Sequence, residues 1–133
     1  MKRIMNKILL GFALAILIQS QFAFAFTLTQ TGANVDVSYL EPTTNKDGSR
    51  LLDLAHTSVF FDTGSGEVRA LDAPASSASG GGTIAVTVTV PIIEGMESNV
   101  IFYLSATDKS GNESAKSETQ ILRIDRLAPA APQ

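Results

Sequence analysis

The chain has 133 residues, 44% of them hydrophobic and 17% charged, with a formal net charge of −3, no Cys, no Trp and one His. The missing cysteines exclude disulfides, thiol catalysis, iron–sulfur clusters and thiolate zinc sites, and a single His cannot supply a two-His metal centre. An acidic chain without a Lys/Arg cluster offers no footprint for a nucleic-acid backbone and no polybasic foot for a membrane surface.

The first segment reads as an export leader. Lys2, Arg3 and Lys7 are accompanied by no acidic residue, and Ile8–Ile18 is apolar throughout, broken only by Gly11. A polar step, Gln19-Ser20-Gln21, then leads to Ala23-Phe24-Ala25. A basic start, a short apolar run and an A-x-A end are the three parts of a secretory signal peptide, which predicts cleavage after Ala25. The apolar run falls short of the roughly 20 residues a spanning helix needs, so no membrane span is expected once the leader is gone. Cleavage takes the net charge to −6, because three bases and no acids leave with the leader. The expected organisation is a leader over 1–25, one domain over 26–126 and an Ala/Pro-rich tail over 127–133. A domain of that length can bury a core without disulfide staples.

After Ala25 the apolar pattern has a period of two. Phe26–Thr31 offers a first edge strand, and Val35–Tyr39 a second, with Val35, Val37 and Tyr39 inward and Asp36 and Ser38 in water. Thr57–Phe61 and Glu67–Leu71 follow. Thr83–Val90 alternates for eight residues, placing Ile84, Val86, Val88 and Val90 on one face. Val100–Thr107 puts Val100, Phe102, Leu104 and Ala106 inward, and Lys116–Ile124 supplies the last strand. β-Branched side chains in such alternation suit a pleated, half-buried surface. Turn chemistry separates the runs at Asn45–Gly48, Asp62–Gly66 and Asp108–Asn112, each combining Asp or Asn with Gly. Ala73–Gly82 reads as a mobile loop of small residues, and Leu127–Gln133 as an extended stub. Short strands punctuated by turns predict an all-β antiparallel sandwich of about seven strands.

Several motifs resemble bacterial fibronectin type III domains, an immunoglobulin-like family. Tyr39-Leu40-Glu41-Pro42, the stretch Thr43–Ser49, and Leu54-Ala55-His56 leading into Val59-Phe60-Phe61 look like that family's second strand, the loop after it and the third strand. Phe102–Ser114 is similar to its sixth strand and following turn, with the pattern x-A-x-D-x-x-G-N-x-S. The likeness spans roughly residues 35–124. Three positions depart from it: Tyr39 stands where the family has a core Trp, Thr57 where it has an aromatic, and Val100 where it has a Tyr. Each departure removes ring volume, leaving Phe61, Phe102 and Phe26 as the rings to fill the interior. The resemblance implies a module that mediates protein contacts, adhesion or spacing of extracellular enzymes from their polymers. The leader places it in a secreted or periplasmic location, and a non-catalytic monomer that contacts a protein or extracellular polymer is expected. No cofactor, metal or nucleic-acid partner is expected.

Chemistry-bearing motifs are few. Val59-Phe60-Phe61-Asp62-Thr63-Gly64-Ser65 matches the apolar-apolar-Asp-Thr-Gly-Ser signature of aspartic proteases. Their chemistry needs two carboxylates about 3 Å apart sharing one proton, so this single copy of Asp62 requires a homodimer. The competing reading makes Asp62–Gly66 a hairpin tip, where the same residue types are favoured. Asp108–Glu113 lacks the alternating ligands and distal bidentate Glu of a calcium loop. Ser65 lacks the strand-to-helix setting of a hydrolase elbow, and His56 reads as a loop residue. Asn112-Glu113-Ser114 fits a glycosylation acceptor in a eukaryotic setting.

The remaining candidate is a surface. If Val59 and Phe61 face inward, the pleat turns Ser58 and Phe60 outward, and likewise Ile101 and Tyr103 on the sixth strand. The family resemblance makes those two strands neighbours, so Ser58, Phe60, Ile101 and Tyr103 are expected to form one exposed binding face. The bland reading is a set of cross-strand pairs that stabilise the sheet by roughly 0.2–1 kcal/mol each. A further alternative, a subunit that adds strands edge to edge, would use the Phe26–Thr31 edge.

Overall fold

The computed structural model describes residues 22–133. Met1–Gln21, which holds the basic and apolar parts of the expected leader, lies outside the described residues. Among the described residues the regular structure is entirely β. The strands are β1 (Ala23–Leu28), β2 (Gly32–Leu40), β3 (Leu54–Asp62), β4 (Glu67–Pro74), β5 (Thr83–Pro91), β6 (Glu97–Asp108) and β7 (Gln120–Asp125). They form two antiparallel sheets, one ordered β1-β2-β5 and the other β4-β3-β6-β7.

The alternation explains the layers. Val35, Val37 and Tyr39 of β2 and Val88 and Val90 of β5 meet Val59 and Phe61 of β3, Val100 and Phe102 of β6 and Ile124 of β7 in one buried cluster. Ile84, Val86 and Leu104 are half-buried against it. Burying apolar surface at about 25 cal/mol per Å² is the main force closing such a sandwich. Gly32 opens β2 where a Cβ would run into the Val90 carbonyl, so only glycine permits that approach of β2 to β5. At the same end the Arg126 guanidinium donates to the carbonyls of Ile92 at 2.7 Å and Gln30 at 3.1 Å, tying the chain after β7 to the opposite, three-stranded sheet.

Rings of β1 and of the residue just before it, together with one polar pair, complete the interior. Phe24 lies 5.0 Å from Phe102, and Phe22 stacks on Tyr39 at 6.2 Å while meeting Phe24 edge-on at 4.7 Å. Phe26, expected as a core ring, is 39% exposed instead. Ala23–Ala25, read from the sequence as the end of the leader, thus forms the first half of β1. Two of the departures also pair with each other, because the Tyr39 hydroxyl and Thr57 Oγ1 are 2.7 Å apart across the sandwich. Burial, partly offset by that bond, raises the Tyr39 pKa above its ordinary value. Tyr39→Phe is expected to destabilise the fold by about 1–2 kcal/mol by leaving the buried Thr57 hydroxyl alone. Adding Thr57→Val should recover part of that loss, and a double-mutant cycle in urea reads the coupling at about 1 kcal/mol.

Two segments differ from the sequence-based expectation. The Ala73–Gly82 region is fastened rather than loose. Buried Glu41 accepts from the Ser76 amide at 2.8 Å, the Gly82 amide at 3.1 Å and the Ser76 hydroxyl. Ala75 and Leu54 add backbone bonds to Ala55 and Ala78. Gly80 takes a φ of +64°, and a Cβ there would collide with the Pro42 carbonyl. The last strand begins at Gln120, not Lys116. Upstream of it, Ser114 and Ser117 hydroxyls accept the Ala106 and Leu104 amides, so serine oxygens replace ladder carbonyls along β6.

Candidate functional site

β3 and β6 sit side by side, with Phe60 opposite Tyr103, Ser58 opposite Ser105 and Asp62 opposite Ile101. The pleat sends Ser58, Phe60, Ile101 and Tyr103 to the outer face of the four-stranded sheet, and the structure brings all four together there. Phe60 and Tyr103 stack nearly parallel, 4° between planes and 5.5 Å between centroids.

This face is covered, not exposed. Phe60 is 2% accessible, Tyr103 9% and Ser58 0%. The cover comes from two long side chains outside β3 and β6. Lys116 Nζ lies 3.8 Å above the Phe60 ring, and Arg69 of β4 places its guanidinium 5.5 Å from the same ring. A β-bulge between Val59 and Phe60 brings Arg69 directly opposite Phe60 in the ladder. Cations over an aromatic face are attracted by the ring quadrupole, and their stems bury the ring beneath. The apolar surface that remains is a pair opposite each other on β6 and β7, half-buried Ile101 and Ile121, the latter 67% exposed.

Hydrogen bonds fix the cover. Arg69 Nε donates to Asp72 at 3.0 Å, its Nη2 donates to Ser58 Oγ at 2.9 Å, and its Nη1 is 3.5 Å from Glu113. The Ser58 hydroxyl donates to Asp72 at 2.7 Å. Glu113 accepts from the buried Ser105 hydroxyl at 2.6 Å and from Lys116 at 3.4 Å. These bonds favour the charged carboxylates. The Ser58 hydroxyl and then Arg69 hold Asp72 below the usual carboxylate range, and the Ser105 hydroxyl and then Lys116 and Arg69 do the same for Glu113. Tyr103 donates to Glu67 at 2.5 Å, and desolvation together with that acceptor pushes its hydroxyl up to about 12. His56, in β3, has Nε2 3.5 Å from the Arg69 guanidinium. The whole is a rigid aromatic floor under an ordered, charge-balanced cover: it can present hydrogen bonds and charge in fixed positions.

Sequence reasoning located the floor and missed the cover. Arg69, Asp72, Glu113 and Lys116 come from β4 and from the segment after β6, and nothing local to them announces that they fold over Phe60.

The other motif residues are engaged in turns. Asp62 Oδ1 accepts the Gly64 amide at 2.7 Å and the Gly66 amide at 3.1 Å, the role of a hairpin-tip Asx residue. Asp108 accepts the Ser110 and Asn112 amides and the Asn112 side chain, each at 2.9 Å, which holds its carboxyl below the usual range. Among the described residues no group of three His, Cys, Asp or Glu is placed to hold a metal ion. Also among them, no helix is long and apolar enough to cross a membrane. A groove of about 240 Å³ runs beside the sandwich mouth between Tyr39, Pro42, Thr57 and Leu104. No family model, curated protein or solved structure matches the chain.

Proposed function

We propose that the chain is an exported, non-catalytic module of the fibronectin type III kind that makes protein or polymer contacts, or sets spacing, outside the cytoplasm. The observation that carries this reading is the sheet order. β3 lies beside β6, as the resemblance implies, and β4 extends their sheet, giving three strands against four. In the constant-type immunoglobulin arrangement the fourth strand joins the other sheet. The placement of Asp62 also supports it, since that carboxylate is occupied by the amides of its own turn.

Fold does not assign function, so the contact is argued from the site. The outer face of the four-stranded sheet offers a fixed cation pair, Arg69 and Lys116, beside an apolar rim of Ile101 and Ile121. Replacing Phe60 or Tyr103 disturbs buried packing, so the cover and rim are the better probes. Ile121→Ser is expected to leave folding stability nearly unchanged, as exposed substitutions do, and Lys116→Ala to cost about 0.5–1 kcal/mol, the scale of an exposed cation–π contact, so both variants stay folded. With the folded chain as bait on an exported-protein fraction and on cell-surface polymer, both variants should lose the material that the unaltered chain retains. Identical retention by all three removes this face from the reading.

A further inference from the structure

β1 contains the bond at which the leader is expected to be cut. Ala25 pairs with Asp36 and Phe26 with Val35, so the Ala25–Phe26 bond sits mid-strand, with three paired residues on each side. The two residues that the cleavage signal requires to be small, Ala23 and Ala25, face solvent, whereas Phe24 points onto Phe102 and Phe22 lies against Tyr39. One short segment therefore carries two patterns in alternation: small residues for a peptidase and rings for the core. A peptidase takes its substrate as an extended segment within its own cleft. To reach this bond it must peel β1 from β2 and withdraw both rings, which requires local opening. Cleavage then tracks the population of the opened form.

We propose that the fold controls this processing site: once β1 has closed on β2 the Ala25–Phe26 bond is shielded, so cleavage has to precede folding, and a chain that folds first keeps Phe22 and Phe24 packed against its core. The proposal rests on reading the first twenty-five residues as an export leader. The step itself is hydrolysis: water adds hydroxyl to the Ala25 carbonyl carbon, the C–N bond breaks, and the Phe26 nitrogen takes the proton.

The test uses the full chain, folded in detergent micelles, with a purified signal peptidase and intact mass as the readout. A peptide of residues 1–31 under the same conditions supplies the unshielded rate. The peptide should be cut after Ala25, and the folded chain at least about ten-fold more slowly. A second arm uses the variant Thr27→Cys with Asn34→Cys. These positions are directly opposite in the β1–β2 ladder, and the chain has no other cysteine. Opposed residues in an antiparallel pair are about 4.5–5.5 Å apart at Cα, within disulfide range. In urea just sufficient to make the reduced variant cleavable, the oxidised one should stay intact. A folded chain cut at the peptide's rate, or oxidised and reduced variants cut alike in that urea, overturns the shielding. A peptide that is not cut after Ala25 overturns the proposal by a separate route, because the leader reading itself then fails.

Discussion

Phe102→Ala is expected to destabilise the protein by about 3–5 kcal/mol, the range for deleting a buried ring. Phe102 is fully buried on β6 and lies between the sheets. Its ring meets Phe24 of the opposite sheet at 5.0 Å and Phe61 of its own at 6.3 Å. The surrounding core side chains sit on paired strands of both sheets, which limits how far they can collapse into the cavity. That places the loss toward the upper end, because the cost follows how much void remains. Urea denaturation measures it. A loss below about 1 kcal/mol, typical of surface positions, would mean that Phe102 is not where the two layers meet.

Glu41→Ala is expected to cost about 2–3 kcal/mol, the scale of hydrogen bonds to a buried charged group. Glu41 is 4% exposed, and its carboxylate joins the end of β2 to both ends of the loop between β4 and β5 through Ser76 and Gly82. The alanine leaves two amides and a hydroxyl without their acceptor. Glu41→Gln keeps one acceptor oxygen and should fall between the two. Hydrogen exchange at the Ser76 and Gly82 amides gives a local readout: both should lose protection in Glu41→Ala while the β3–β6 ladder retains its own. Unchanged protection at those amides would contradict the fastening role.

Much of the layer arrangement is legible in the chain. Alternation at Val35, Val37 and Tyr39, and again at Ile84–Val90, is enough to place β2 and β5 with their inner faces, since the period of two admits one buried side. The outer face was not legible in the same way. Alternation assigns Phe60 and Tyr103 to the side away from the core but does not say whether water or protein lies there. That depends on Arg69 reaching across from β4 at a bulge and on Lys116 folding back from an irregular segment. The fastened loop escaped for a related reason, because its anchor, Glu41, is 35 residues away from Ser76. Tyr39 and Thr57 read singly as lost rings; as a hydrogen-bonded pair across the layers they form a polar tie. At Ala23–Ala25, small residues that suit a cleavage signal suit an edge strand equally well, and only the positions of Phe22 and Phe24 reveal the second use.

Two contacts cross between the sheets at defined residues, Phe24 to Phe102 and Tyr39 to Thr57. Proton–proton NMR contacts in the folded chain that retains residues 1–25 test them directly. Cross-peaks between the Phe24 and Phe102 rings, and between the Tyr39 ring and the Thr57 side chain, are the expected result. Their absence, with Phe102 instead showing contacts only to neighbours on β3 and β7, would contradict a core closed between these two layers.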